Sequence, residues 1–182
     1  MNLKNLGMFQ IRSQKRSAGL GALAACVFAL VAGDAHASTG VGDTFPSLSG
    51  AGLIGGTLPV TAGKVVIVDF WASWCTPCKS SFPAYGRLNS EFCSAGLVIV
   101  AVSVDQDKDS YLSFASRSNT DFYVALDLAQ RLVGAVSVPT MPTSYLLDRT
   151  GRVRYVDAGF RVAGTEQEIR SEVVKLLSEK AT

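Results

Sequence analysis

The sequence predicts an α/β fold, a mixed central β-sheet flanked by helices, and three observations carry that expectation. Val65-Val66-Ile67-Val68-Asp69-Phe70 is too continuously apolar for a half-exposed strand and belongs centrally in a sheet covered on both faces. Leu97 to Val104 is a second run of this kind, closing at Asp105. Thr165 to Ser178 carries Ile169, Val173, Leu176 and Leu177 at helical spacing with charges opposite, the pattern of a helix laid on a core.

The remaining elements follow in order. Ser38 to Thr57 is rich in glycine and small polar residues, with Phe45, Leu48, Leu53 and Ile54 spaced through it. An edge strand and an N-terminal hairpin around Gly55-Gly56 are expected there. Gly63-Lys64 leads into the first buried strand. Pro77 suits the first turn of the next helix, where its missing N–H costs nothing; that helix should run to about Phe92 and kink at Pro83. Ser110 to Ser116 reads as a helix, Tyr123 to Leu126 as a short strand, and Leu128 to Val133 as a short helix ended by Gly134. A central insertion is part of the expected fold, and a hairpin of Ser144–Leu147 and Val153–Val156 follows across Asp148-Arg149-Thr150-Gly151. Strands alternating with helices, then a hairpin and a last helix, make one domain over 38–182 with no repeats.

Residues 1–37 read as an export signal. Lys4, Arg12, Lys15 and Arg16 form a positive start, Ala18 to Ala32 is apolar, and Ala35-His36-Ala37 offers small residues for cleavage. The alternatives are an uncleaved membrane anchor and lipidation at Cys26 in Leu23-Ala24-Ala25-Cys26. Against lipidation, Val27 to Val31 stays apolar beyond the cysteine. Of the 17 basic and 15 acidic residues, the leader holds four and one, so the remainder is close to neutral. The basic balance therefore belongs to the leader and does not argue for nucleic acid. The single histidine, His36, also lies there, which excludes imidazole catalysis and imidazole metal ligation from residues 38–182.

Chemistry concentrates in Asp69-Phe70-Trp71-Ala72-Ser73-Trp74-Cys75-Thr76-Pro77-Cys78-Lys79. Two thiols three residues apart at a helix start can close and reopen a small disulfide. The positive end of the helix dipole favours the thiolate of the leading cysteine. Half a zinc site is disfavoured, because structural zinc wants four ligands and only Cys93 remains besides the pair. A purely structural disulfide is disfavoured too, since so small a loop removes little chain entropy. Cys75, at the helix start and open on one side, is the expected nucleophile; Cys78, one turn inside and shielded, is the expected resolving thiol. Asp69, the one charge in its strand, is the candidate acceptor of the Cys78 proton, its pKa raised by burial. The alternative is an aspartate that merely caps the turn. Cys93 reads as a small buried residue near a helix end, or else as an intermolecular or regulatory thiol.

The second motif is Val138-Pro139-Thr140-Met141-Pro142-Thr143. Trp-Cys-x-Pro-Cys after a strand ending Asp-Phe-Trp-Ala, with Met-Pro-Thr and a strand later, resembles the thioredoxin superfamily. Gly42-x-x-Phe45-Pro46, Val102-Ser103-Val104-Asp105 and Leu146-Leu147-Asp148-x-x-Gly151 make it similar to the TlpA/ResA-like branch of extracytoplasmic thiol–disulfide oxidoreductases. The resemblance implies a thioredoxin-like fold and a cis peptide bond between Met141 and Pro142, facing the thiols. It also implies that the Met141 backbone pairs with an extended substrate segment. Trp74, Thr76, Pro77, Met141 and Pro142 are the candidate substrate contacts. Three departures stand out: the branch often has Asn at position 69 and Glu at position 81, whereas this chain has Asp69 and Ser81, and Thr140 replaces a usual glycine.

These features together point to a periplasmic or otherwise outward-facing thiol–disulfide oxidoreductase, reductase more than oxidant. The resemblance implies protein disulfides as substrates, in cytochrome c maturation or copper-centre assembly. It implies electrons from a membrane thiol donor and no bound cofactor or metal. Two rivals remain. A copper-delivery module wants histidine and C-x-x-x-C spacing, and a thiol peroxidase does not call for a resolving cysteine three residues after the first.

Overall fold

The first long strand, β1 (Val65–Trp71), is wholly buried and forms the centre of the sheet. The protein is described here by a computed structural model covering residues 38–161 and 164–180. The export signal, Cys26 and His36 lie outside the described residues. After β1 come α1 (Thr76–Phe92), β2 (Leu97–Ser103), α2 (Lys108–Ala115), β3 (Tyr123–Leu126), α3 (Arg131–Val136), β4 (Thr143–Leu147), β5 (Val153–Ala158) and α4 (Thr165–Ser178). The sheet order is β3-β2-β1-β4-β5, with β1, β2 and β3 parallel and β4 and β5 antiparallel to their neighbours. The expected α/β sheet, mixed and flanked by helices, is therefore present.

Alternation along β1 divides its side chains between two layers. On one face Trp71 packs edge-on against Phe82 of α1 and tilted against Phe114 of α2, while Asp69 meets Tyr85 of α1. On the other, Phe70 packs edge-on against Tyr145, which in turn meets Phe45 of the N-terminal segment. Apolar side chains fill both layers, and burying each contributes about 1.5–3 kcal/mol.

Three expectations need correction. The N-terminal hairpin does not form. Residues 38–64 instead make two single bridges, Thr44 with Arg152 and Ile54 with Leu126. Gly55 runs so close to β3 that a Cβ there would lie 2.6 Å from the Val124 carbonyl oxygen, so the segment is a strap across the sheet rather than a strand with its own partner. The third helix starts at Arg131, not Leu128, because Asp127 accepts the N–H groups of Arg131, Leu132 and Val133 and fixes the helix start. Gly134 then lies inside α3, and Ser137 in left-handed backbone ends it. Leu177 is half-buried, while Ile169, Val173 and Leu176 form the buried stripe of α4 as expected.

Candidate active site

The register brings the site together at one end of the sheet. β1 and β2 run parallel and end at Trp71 and Ser103, while antiparallel β4 begins at Thr143, opposite Phe70. The turn carrying Cys75, the loop after β2 and the loop containing Met141 and Pro142 therefore share the carboxyl end of the parallel strands, where open α/β sheets hold their sites.

Cys75 and Cys78 form a disulfide, with Cα atoms 5.3 Å apart. Cys75 is also the N-cap of α1: its Sγ accepts the Cys78 N–H at 3.3 Å, and Pro77 sits in the first turn as expected. A thiolate at this position would keep that donor and the dipole of a 17-residue helix. Cys78 is fully buried and Cys75 is 5% exposed. The inequality has the expected sense, but Cys75 is less open than expected while its sulfur is held in the disulfide. Trp74 is 68% exposed, and Thr76 and Pro77 are exposed too, so the rim around Cys75 faces solvent.

Asp69 lies fully buried beneath α1. Cys78, Ser81, Tyr85 and Leu88 lie along the buried stripe of that helix, so the face that shields Cys78 also carries Tyr85 onto Asp69. Tyr85 Oη donates to Asp69 Oδ1 at 2.9 Å and Ser144 Oγ donates to the same oxygen at 3.0 Å. Oδ2 has no hydrogen-bond partner among the described residues. Burial pushes the Asp69 carboxyl up to about 7, against the two hydroxyls that favour the charged form. Asp69 thus caps no turn; it is a buried carboxyl with one free oxygen and a pKa in the range where thiols exchange protons. Ser81 is fully buried and donates to the Cys78 carbonyl at 2.7 Å.

Asp105 is a site residue that the motif alone did not reveal. Its carboxylate accepts the Ser73 N–H at 3.0 and 3.2 Å, the Ser73 hydroxyl at 2.8 Å and the Ser103 hydroxyl at 2.7 Å. It ties the end of β2 to the turn that presents Cys75. Tyr85 and Ser144 were also missed. Their signal was spacing: Tyr85 lies seven residues after Cys78 on one helix face, and Ser144 is the second residue of the strand after the Met-Pro pair.

The Met141–Pro142 peptide bond is cis. Pro142 is buried and Met141 half-buried, and the Met141 backbone finds no hydrogen-bond partner among the described residues. The Thr143 hydroxyl donates to the Thr140 carbonyl at 2.8 Å and braces the loop. Cys93 is exposed, which corrects the expected burial: it caps the C-terminus of α1 one residue past half-buried Phe92, turned off the helix's buried stripe. No group of three or more His, Cys, Asp or Glu side chains among the described residues converges as a metal ion requires.

A five-stranded mixed sheet with a Cys-x-x-Cys disulfide at the start of its first helix and a cis-proline before β4 defines a thioredoxin-like protein with a redox dithiol. The chain belongs to the AhpC/TSA family, whose sequence profile matches residues 41–156. It is 36% identical over 97 residues to the thiol-disulfide oxidoreductase ResA of Bacillus subtilis (strain 168), a match covering 53% of this chain and 54% of ResA. The chain spans about half the length of the curated relatives it matches. Among solved structures, a putative thiol:disulfide interchange protein DsbE from Chlorobium tepidum is 33% identical with a TM-score of 0.71, covering 78% of this chain and 100% of that one. StoA from Bacillus subtilis is 26% identical with a TM-score of 0.54, covering 60% of this chain and 82% of that one.

Proposed function

We propose that this protein is an exported thiol–disulfide oxidoreductase that reduces disulfides in substrate proteins. The observation that carries the reading is the Cys75–Cys78 disulfide at the start of α1, with Cys75 at the N-cap and Cys78 buried beside it. The Cys75 thiolate attacks a substrate disulfide, forming a mixed disulfide and releasing one substrate thiolate. Cys78 gives its proton to Asp69 Oδ2 and attacks Cys75 Sγ. The Cys75–Cys78 bond forms, the mixed disulfide breaks, and the second substrate thiolate leaves with the electron pair. Two electrons pass from the dithiol to the substrate, and the departing thiolates take protons from water.

Met141, with its free backbone groups, offers an edge to an extended substrate segment, and the exposed Trp74 offers an apolar contact beside Cys75. The substrates are proteins whose cysteines must stay reduced, of the kind needed in cytochrome c maturation or copper-centre assembly. A membrane thiol carrier returns the electrons. The periplasm, or the outer face of the membrane, is the compartment. No helix among the described residues is long and apolar enough to cross a membrane.

The test is trapping. Cys78→Ser should accumulate mixed disulfides with substrate proteins in the cell envelope, while Cys75→Ser should trap none and lose disulfide reduction. A Cys75→Ser protein that traps substrates while Cys78→Ser does not would reverse the roles, and reduction surviving in both variants would defeat the reading.

A further inference from the structure

Asp69 is fully buried, so a proton it takes from Cys78 needs a way out. The sheet supplies a row of polar side chains on the face beneath α1 and α4. Asp69 of β1 pairs in register with Ser144 of β4, and Ser144 pairs in register with Asp157 of β5. Residues paired in this way have Cβ atoms about 5 Å apart on the same face. Tyr85 Oη lies over the first two, 2.9 Å from Asp69 Oδ1 and 2.5 Å from Ser144 Oγ. At the outer end Asp157 is half-buried and its carboxyl neighbours that of Glu172 of α4, also half-buried.

Two carboxyl groups hydrogen-bond each other only when one holds a proton. Asp157 Oδ2 and Glu172 Oε2 are both buried with no hydrogen-bond partner among the described residues, and a proton shared between the two carboxyls would satisfy both. The hydrogen bonds run from Asp69 to Ser144, and Asp157 stands next in register without a hydrogen bond to Ser144 among the described residues, so the row is continuous only if the Asp157 side chain turns toward Ser144.

We propose that Asp157 and Glu172 form the outer end of a proton relay that connects Asp69, through the Tyr85 and Ser144 hydroxyls, to solvent. They are positioning residues for proton flow, remote from the sulfur chemistry. Each transfer moves one proton and no electrons: Asp69 returns to its charged form, and water receives the proton from Glu172.

The surrounding groups suit that task. Burial raises the carboxyl of Asp157, and burial with the facing Asp157 charge pushes Glu172 up to about 7. Glu168, on the same face of α4, raises both further, while Lys175 lowers Glu172 and itself lies over the Tyr155 ring. Glu168 is held by Arg161 at 3.5 Å. Burial and the Asp69 charge keep the Tyr85 hydroxyl protonated, so it passes a proton only by taking another. No arginine or lysine hydrogen-bonds Asp157 or Glu172 among the described residues, so neither carboxyl is locked in its charged form.

The inference rests on the proposed disulfide reduction, and buffer rescue tests it. The reduced protein is mixed with a disulfide substrate at neutral pH, and the resolving step is followed by rapid mixing across concentrations of imidazole, a small proton acceptor. The wild type should resolve at a rate independent of buffer. Asp157→Asn should be about tenfold slower at low buffer and recover as imidazole rises, since a small acid–base can replace a missing relay group. Glu172→Gln should behave alike, and it keeps the test open if Asp157→Asn fails to fold. Variants as fast as the wild type, or slow variants that buffer does not rescue, would overturn the relay and leave disulfide reduction standing. A wild-type protein that reduces no disulfide would overturn both.

Discussion

Replacing Asp69 by Asn tests the site through stability and rate in one variant. Burial lifts this carboxyl from 3.8 to about 7. The folded protein therefore keeps a proton that the unfolded chain releases across that window. The contribution to stability is intact below the unfolded value and is lost as pH rises through the folded value. The shift is about three pH units, and at about 1.4 kcal/mol each it makes the charged form some 4 kcal/mol costlier to hold in the fold once pH exceeds the folded value. Asp69→Asn removes that cost, but its amide brings two donors to a place where Tyr85 and Ser144 now donate; reorienting them returns about 1–2 kcal/mol. The variant should be more stable than the wild type by about 2–3 kcal/mol at mildly alkaline pH and no more stable near the unfolded carboxyl value. Urea unfolding at the two pH values measures both differences, and the gain should move the alkaline midpoint by about 1 M or more. In the same protein the resolving step should slow by about a hundredfold at neutral pH, while the first attack by Cys75 changes little. Equal pH dependence of stability in the two proteins would refute the buried, proton-holding carboxyl, and an unchanged resolving rate would refute its role as acceptor.

Asp105→Ala should strip the acceptor from Ser73 and Ser103, lowering stability by about 2–4 kcal/mol and loosening the turn before Cys75. Chemical denaturation and the alkylation rate of Cys75 in the reduced protein measure the two effects, with Asp105→Asn restoring part of each; unchanged values in Asp105→Ala would show that the turn holds itself. Mass spectrometry of the protein from its native envelope should find Ser38 as the first residue. An intact start or a lipid on Cys26 would show a tether instead.

How far the sequence could be read depended on whether an element's cause is local. β3 and α4 occupy the residues expected of them, because a buried apolar run and a helical stripe are written in neighbouring residues. Asp69 was legible for the same reason: a lone charge in an apolar strand. The strap over 38–64 was not, since its bridges reach Arg152 and Leu126, far away in the chain, and Gly55 serves the close approach to β3 rather than a hairpin turn. Gly134 looked like a helix stop, but the start of α3 is set by Asp127, whose carboxylate collects three N–H groups. Ser144 was hidden because it meets Asp69 only through strand register, and Asp157 stands one strand further out, paired with Ser144.

The strap has a consequence for how the sheet meets other polypeptides. β3 and β5 are the outer strands of the sheet, and an open outer strand is a template on which another chain can add itself. Ile54 exchanges both backbone hydrogen bonds with Leu126, at 2.9 and 2.7 Å, closing the end of β3. Around the start of β5, the Gly42 N–H reaches the Val153 carbonyl at 2.8 Å and the Asp43 carbonyl takes the Val153 N–H at 2.9 Å. With both borders partly occupied by its own backbone, the sheet leaves a visiting polypeptide less invitation to stick anywhere except beside the sulfurs.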